Sequence, residues 1–238
     1  MRTLMGNGMA FDSMRNNSNT KLLLHCNGTD ESTTITDSGN TGHSPAAQGD
    51  SKLDTAIKKF GTASLLHGST ANDYVSVADH ADWNFGSGNL TIDFWVYYPS
   101  LPNSTYYGFF DQYVDVSNGY SMYMVYYTTQ QIIFKHNNPS IQVGGSGVLP
   151  VIIKAGEWYH IAIIRGWGGV ANQWAITVNG KVYTSESKSG TMGDWATTFN
   201  IGKAGTYSSQ GAQMDEFRVV KGEALWTTQF IPPAGPYS

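Results

Sequence analysis

Charge is what this sequence has least of. Of its 238 residues, 14 are Lys or Arg and 18 are Asp or Glu, so 13% are charged, about half the share usual in soluble domains. Nucleic-acid affinity rests on clustered Lys and Arg that neutralise phosphates, and a net charge of −4 offers no such surface. Nucleic acid is therefore excluded as the main partner. Cysteine is nearly missing as well: Cys26 stands alone, which forbids an internal disulfide and suits a buried small hydrophobe in a strand. No apolar run approaches the ~18 residues that cross a bilayer, so no membrane partner is expected. The opening MRTLMGNGMAFDSMRNNSN has neither the apolar stretch nor the small-residue cleavage site of a secretory signal. Such a start suits a protein that is made in the cytosol or leaves it by another route.

What the chain does have is aromatic and β-branched residues, with 27 glycines among them. Residues 1–19 read as an arm, because Gly6, Gly8 and the Asn16–Asn19 cluster break any period while Met1, Leu4, Met5, Met9, Phe11 and Met14 stay apolar. From Lys21 onward short apolar runs alternate with Gly, Asn, Asp, Ser and Pro, the mark of an all-β domain. Strands are expected over 21–26, 63–66, 74–77, 90–98, 107–113, 120–127, 131–135, 148–153, 158–165, 173–178, 181–185 and 212–220. In TVNGKVYT, Asn179-Gly180 supplies the two positive φ angles of a type I′ turn, which pairs Val178 with Lys181 and Ile176 with Tyr183. In TIDFWVYY, Ile92, Phe94 and Val96 form a core face, and Thr91, Asp93 and Trp95 an aromatic but polar one. Ile161–Ile164 is apolar on both faces, as a central strand covered on both sides requires. With no helical crossover, the class is an antiparallel sandwich or jelly roll.

Six segments in order carry a resemblance: KLLLHCNGTDESTTITDSG, KFGTASLLHGSTANDYVSVADHADWNFGSGNLTIDFWVYYPSLP, AGEWYHIAIIRG, WAITVNGKVY, FNIGKAG and QMDEFRVVKGEALWTTQFIPP. Together they resemble the laminin G-like branch of the concanavalin A-like lectin/glucanase superfamily, over residues 20–238. The resemblance implies an all-β, antiparallel β-sandwich, a concanavalin A-like jelly roll, here with an extended N-terminal arm. Members of this shape resemble phage virion proteins such as tail fibres and decoration proteins. The resemblance further implies a calcium ion bracing one edge, at positions matching Asn27 and Asp30 of the CNGTD loop and Asp215 of MDEFRV. Trp83 matches a structural position of the family.

Fold alone does not determine function, so the residues must be tested for chemistry. Hydrolases of the superfamily carry Glu-x-Asp-x-x-Glu on one strand, and no such string occurs here. A retaining glycosidase needs two carboxyl groups ~5–5.5 Å apart. The nearest pair, Asp215 and Glu216, is adjacent on an expected strand, which sends the two to opposite faces and leaves Glu216 solvated. No nucleophile elbow, zinc-protease helix or phosphate loop is present, and the six histidines stand singly, without a metal-ligand spacing. A non-catalytic protein is expected. Aromatic platforms with amide side chains bind sugars, and Trp167, Asn172, Trp195 and Tyr207 sit in glycine- or serine-rich loops that could share one rim. Three readings stay open: a virion-associated adhesion protein that binds cell-surface glycan and is anchored by its arm; a capsid decoration or tail assembly protein contacting only other virion proteins, oligomeric or lattice-bound; and a divergent glycan hydrolase.

Overall fold

A computed structural model describes residues 16–101, 105–137, 140–145 and 151–238. Among the described residues seventeen strands follow one another: β1 (Thr20–Leu24), β2 (Ala46–Gln48), β3 (Lys52–Asp54), β4 (Ser64–Leu66), β5 (Tyr74–Val77), β6 (Leu90–Tyr97), β7 (Thr105–Asp115), β8 (Asn118–Tyr126), β9 (Gln130–His136), β10 (Ile141–Gly144), β11 (Trp158–Arg165), β12 (Gln173–Val178), β13 (Lys181–Ser187), β14 (Phe199–Ile201), β15 (Lys203–Ala204), β16 (Tyr207–Ser208) and β17 (Gln213–Lys221). Short 3₁₀ turns occur at Ala81–Trp83 and Trp167–Gly169. One sheet runs β13-β12-β11-β6-β17-β4-β3, with β1 also on β17; the other runs β10-β9-β8-β7-β14-β5-β2. Every pairing is antiparallel, so the expected sandwich forms. Of the strand expected over 148–153, residues 148–150 lie outside the described residues, and Val151 makes only a bridge to Gln130.

The core between the sheets is aromatic. Phe94 stacks on Phe217 (5.4 Å between ring centres), Phe134 on Trp174 (5.3 Å) and Trp83 on Phe199 (4.8 Å). All six rings are fully buried, each contributing about 1.5–3 kcal/mol of transfer free energy. Trp83 thus has the structural place expected of it, and its indole N–H donates to the Ala78 carbonyl (2.9 Å). Cys26 is buried as well, and burial pushes its thiol well above the ordinary value.

The expected polar face of β6 is not open to water. Ala162 and Ile164 on the outer side of β11 join Trp226 in a second apolar cluster, with Trp167 and Phe230 packed against it. The segment after β17 therefore covers this sheet, and the Asn179-Gly180 turn is where it is pinned. Gly180 has φ +73°, and a Cβ there would collide with the Phe230 carbonyl at 1.9 Å. The turn forms as expected, but a bulge between Ile176 and Thr177 sets Ile176 opposite Thr184 rather than Tyr183.

Beneath that cover lies a buried polar network. Arg218 Nε and Nη2 donate to the two Asp93 oxygens (2.9 and 3.1 Å), and the guanidinium lies 3.8 Å from the centre of the Tyr237 ring. Tyr237 donates its hydroxyl hydrogen to Asp93, whose Oδ2 also meets His160 Nε2 at 3.2 Å. Burial alone would raise the Asp93 carboxyl, but the Arg218 charge and the His160 contact hold it below its ordinary value. Burial lowers His160, which stays neutral beside it.

A second bulge lies in β17. Asp215 pairs with Trp95 and Arg218 with Asp93, leaving an extra residue between them, and Glu216 takes φ +51°. The expectation of opposite faces for Asp215 and Glu216 fails for this reason: Met214 and Phe217 both enter the core, and the two acids lie together on the outer side. Nor is Glu216 solvated, being 1% exposed. Its Oε1 meets His25 Nδ1 at 2.9 Å, and its Oε2 accepts the Tyr237 N–H at 2.9 Å.

The outer face of the other sheet carries the two-stranded β15–β16 hairpin. Gly108 makes this possible, since a Cβ there would lie 2.5–2.6 Å from Ala204 N, Lys203 C and Tyr207 O. Asp111, which burial pushes up to about 6, accepts Gly205 N–H at 2.6 Å and the Asn200 amide at 2.8 Å.

Two outcomes follow. Asp93→Asn leaves Arg218 buried without its counter-charge and should cost about 3–5 kcal/mol in denaturant unfolding at pH 7. Because the folded Asp93 pKa is depressed, its contribution is complete above ~3.9 and lost as pH falls through the folded value. A loss below about 1 kcal/mol, the size of an exposed pair, would show that the network is not structural. Gly108→Ala should cost about 1–3 kcal/mol by overpacking and expose 203–208 to limited proteolysis; wild-type resistance would contradict the packing described.

Candidate functional site

The four expected sugar contacts do not gather on one rim. Trp167 packs with the Ala162–Ile164–Trp226 cluster on the covered side of the first sheet. Asn172, at φ +62°, accepts a hydrogen bond from the Arg165 guanidinium (2.5 Å) and so braces its own loop. Trp195 packs against the main core, 5.0 Å from the His136 ring and 6.1 Å from Tyr120. Tyr207 alone stands on the open face of the second sheet, where other aromatic residues surround it.

That face is built by strand alternation. Tyr107, Phe109 and Phe110 of β7 point into the core, the paired phenylalanines being allowed by a bulge between Gly108 and Phe110. Tyr106 and Gly108 consequently face outward, with Tyr123 of β8 directly opposite Gly108. The hairpin laid over Gly108 brings Tyr207 flat onto Tyr106, with ring centres 4.2 Å apart and planes 10° from parallel. Tyr123 meets Tyr207 at 5.4 Å, and Tyr127 meets Tyr106 edge-on at 5.8 Å. The Tyr127 hydroxyl donates to that of Tyr106 (3.1 Å), and Tyr127 is 48% exposed. Lys203 lies 4.2 Å from the centre of the Tyr74 ring at the far side of the hairpin.

Tyr207, Tyr123 and Tyr127 keep their protons. Burial, with the neighbouring phenols, raises Tyr207 and Tyr123; the hydrogen bond with Tyr106 raises Tyr127. Each hydroxyl can thus donate as well as accept, beside ring faces that suit C–H surfaces. A groove of ≈ 520 Å³, lined by Leu101, Tyr126, Gln130, Val151, Ile153 and Lys154 among others, opens beside the same 127–129 turn. Tyr123 was legible from the apolar–Tyr–apolar alternation of MYM. The stacking of Tyr207 on Tyr106 was not, since the two are far apart in sequence.

The expected calcium ligands lie in one neighbourhood, because β1 pairs with β17. Their oxygens serve the 55–62 loop instead. Asn27 accepts the Thr62 N–H (2.6 Å), Asp30 the Thr55 N–H (3.0 Å), and Asp215 Oδ2 those of Lys59 and Phe60 (2.9 and 3.0 Å). Asp215 Oδ1 also accepts the Glu216 N–H (2.8 Å), and burial pushes this carboxyl up to about 7. Backbone N–H groups of the one loop thus already engage oxygens of all three side chains. With the contacts of Glu216 to His25 and Tyr237, both acids of the adjacent Asp215–Glu216 pair are occupied.

The histidines are not all single. His43 and His80 approach each other, with ring centres 4.9 Å apart, and Asp82 lies between them. This correction arises because a loop and a turn remote in sequence meet at the end of the sandwich.

Among the described residues, no helix is long and apolar enough to cross a membrane. Comparison with curated proteins found no match. Among solved structures, the binding domain of Paraclostridial Mosquitocidal Protein 1 superposes with a TM-score of 0.64 at 16% identity, covering 87% of this chain and 49% of that one. The binding domain of botulinum neurotoxin DC in complex with SialylT gives 0.61, 16%, 87% and 49%. The botulinum neurotoxin type G receptor binding domain gives 0.60, 14%, 87% and 49%. This chain thus spans about half the length of those chains, and at such identities the likeness is one of fold. A laminin G-type family profile, described as the concanavalin A-like lectin/glucanases superfamily, matches residues 68–226, two thirds of the sequence. With the sandwich topology, that match places the chain in the concanavalin A-like lectin/glucanases superfamily.

Proposed function

We propose that this protein is a non-catalytic glycan-binding module whose sugar site is the tyrosine face formed by Tyr106, Tyr123, Tyr127 and Tyr207. The observation that carries the reading is the stacked Tyr106–Tyr207 pair on the outer face of the second sheet, beside the exposed Tyr127. Rings packed against each other are already ordered, so little side-chain entropy is lost when a sugar docks. The lectin-like fold and the complex of a similarly folded toxin domain with SialylT support the class of ligand. Low charge suits a neutral saccharide, with Lys203 at the border able to meet an acidic one. Carried on a virion by the 1–19 arm, of which residues 1–15 lie outside the described residues, the module would serve adhesion to host glycan; the virion setting rests on the family resemblance of the sequence, and the arm's part on its apolar residues.

A glycan array with multivalent protein tests the site. Tyr207→Ala and Tyr127→Ala should each weaken retention by about two- to twelvefold, the scale of one lost aromatic contact of about 0.5–1.5 kcal/mol, while the melting temperature changes little. Trp195→Ala should instead lower the melting temperature, since its ring fills the edge of the core. Unchanged retention in both tyrosine variants would overturn the assignment.

A further inference from the structure

One cluster of ligand-type side chains has no part in the reading above. His43, His80 and Asp82 offer ligand atoms that all lie within 4.8 Å of one another. Asp82 Oδ2 is 3.1 Å from His43 Nε2 and 3.2 Å from His80 Nδ1. Tetrahedral zinc with bonds of about 2.0–2.1 Å separates its ligand atoms by about 3.3 Å. Both distances therefore stand close to what a single small ion requires.

The ligands are held by their surroundings. Asp37 fixes the loop that carries His43, accepting the N–H of Leu23 (2.9 Å), Gly39 (2.7 Å) and His43 (2.8 Å). The His43 ring lies 4.7 Å from the buried Trp83 ring, and its side chain is 7% exposed. Thr41 Oγ1 donates to Asp82 Oδ2 at 2.6 Å. His80 is half exposed and leaves a path from solvent. Its Nδ1 also accepts the Asp82 N–H (3.1 Å), a bond that an ion on that nitrogen would replace.

We propose that His43, His80 and Asp82 bind one divalent transition-metal ion, zinc being the best match, with water in the fourth position. Two imidazoles and one carboxylate suit zinc better than calcium, which takes six to eight oxygens. The ion would cross-link the 37–45 loop to the turn at 79–82, over the edge of the core that Trp83 closes. This site is separate from the tyrosine face, so neither assignment depends on the other.

Untagged, chelator-treated full-length protein titrated with cobalt(II) and then zinc(II) tests the site. The expected result is one cobalt per chain with the visible absorption of a four-coordinate ion, displaced by zinc, and a melting temperature that rises with zinc. His80→Asn keeps a side-chain acceptor for the Asp82 N–H and so should fold, as circular dichroism can verify. It and Asp82→Asn should each weaken cobalt binding by about tenfold or more and remove the zinc-dependent rise in melting temperature. Asp30→Asn, outside the cluster, should leave both unchanged. Absence of cobalt binding at millimolar concentration, or binding that survives His80→Asn but not Asp30→Asn, would overturn the proposal.

Discussion

Arg218 and Asp93 face each other on neighbouring central strands with no access to water, and this buried pair constrains most of what surrounds it. An ion pair in that position is tolerated only when its remaining hydrogen-bonding capacity is met. The forked geometry of the guanidinium satisfies both carboxylate oxygens, the Tyr237 hydroxyl adds a donor, and the Tyr237 ring covers the cation. The end of the chain therefore has to return across the sheet. Doing so, it brings Trp226 and Phe230 over Ala162 and Ile164 and covers the middle of that face.

The outer face of the second sheet is built differently. The second sheet is not left flat there. Loss of a side chain at Gly108 admits a miniature hairpin, and the hairpin delivers Tyr207 to a surface already bearing Tyr106 and Tyr123. The bulge beside Gly108 has a second effect, since it turns Phe109 and Phe110 into the core together. Core packing and surface display are thus set by the same irregularity in β7.

Bulges also explain where reading by strand period goes astray. A two-residue repeat assigns Asp215 and Glu216 to opposite faces, and one inserted residue puts them on the same one. The register of β12 on β13 shifts in the same manner. In each strand the composition was read correctly and the facing of one residue was not, because a positive φ at Glu216 leaves no local trace in a non-glycine residue. The short strands β2, β3 and β14 went unseen for a related reason: three residues carry no period, and neighbouring strands alone make them pair.

The sequence by itself determined the class of fold, the family, the Asn179-Gly180 turn and the doubly buried strand at Ile161–Ile164. All of these rest on local conformational preference or on the alternation of apolar residues. Which acids share a face, which aromatic rings touch, and which histidines meet were decided by tertiary structure alone. The rings and histidines join residues tens to a hundred positions apart, the adjacent acids are turned by a bulge, and both depend on sheet register, which is set by the packing of the whole sandwich rather than by any segment within it.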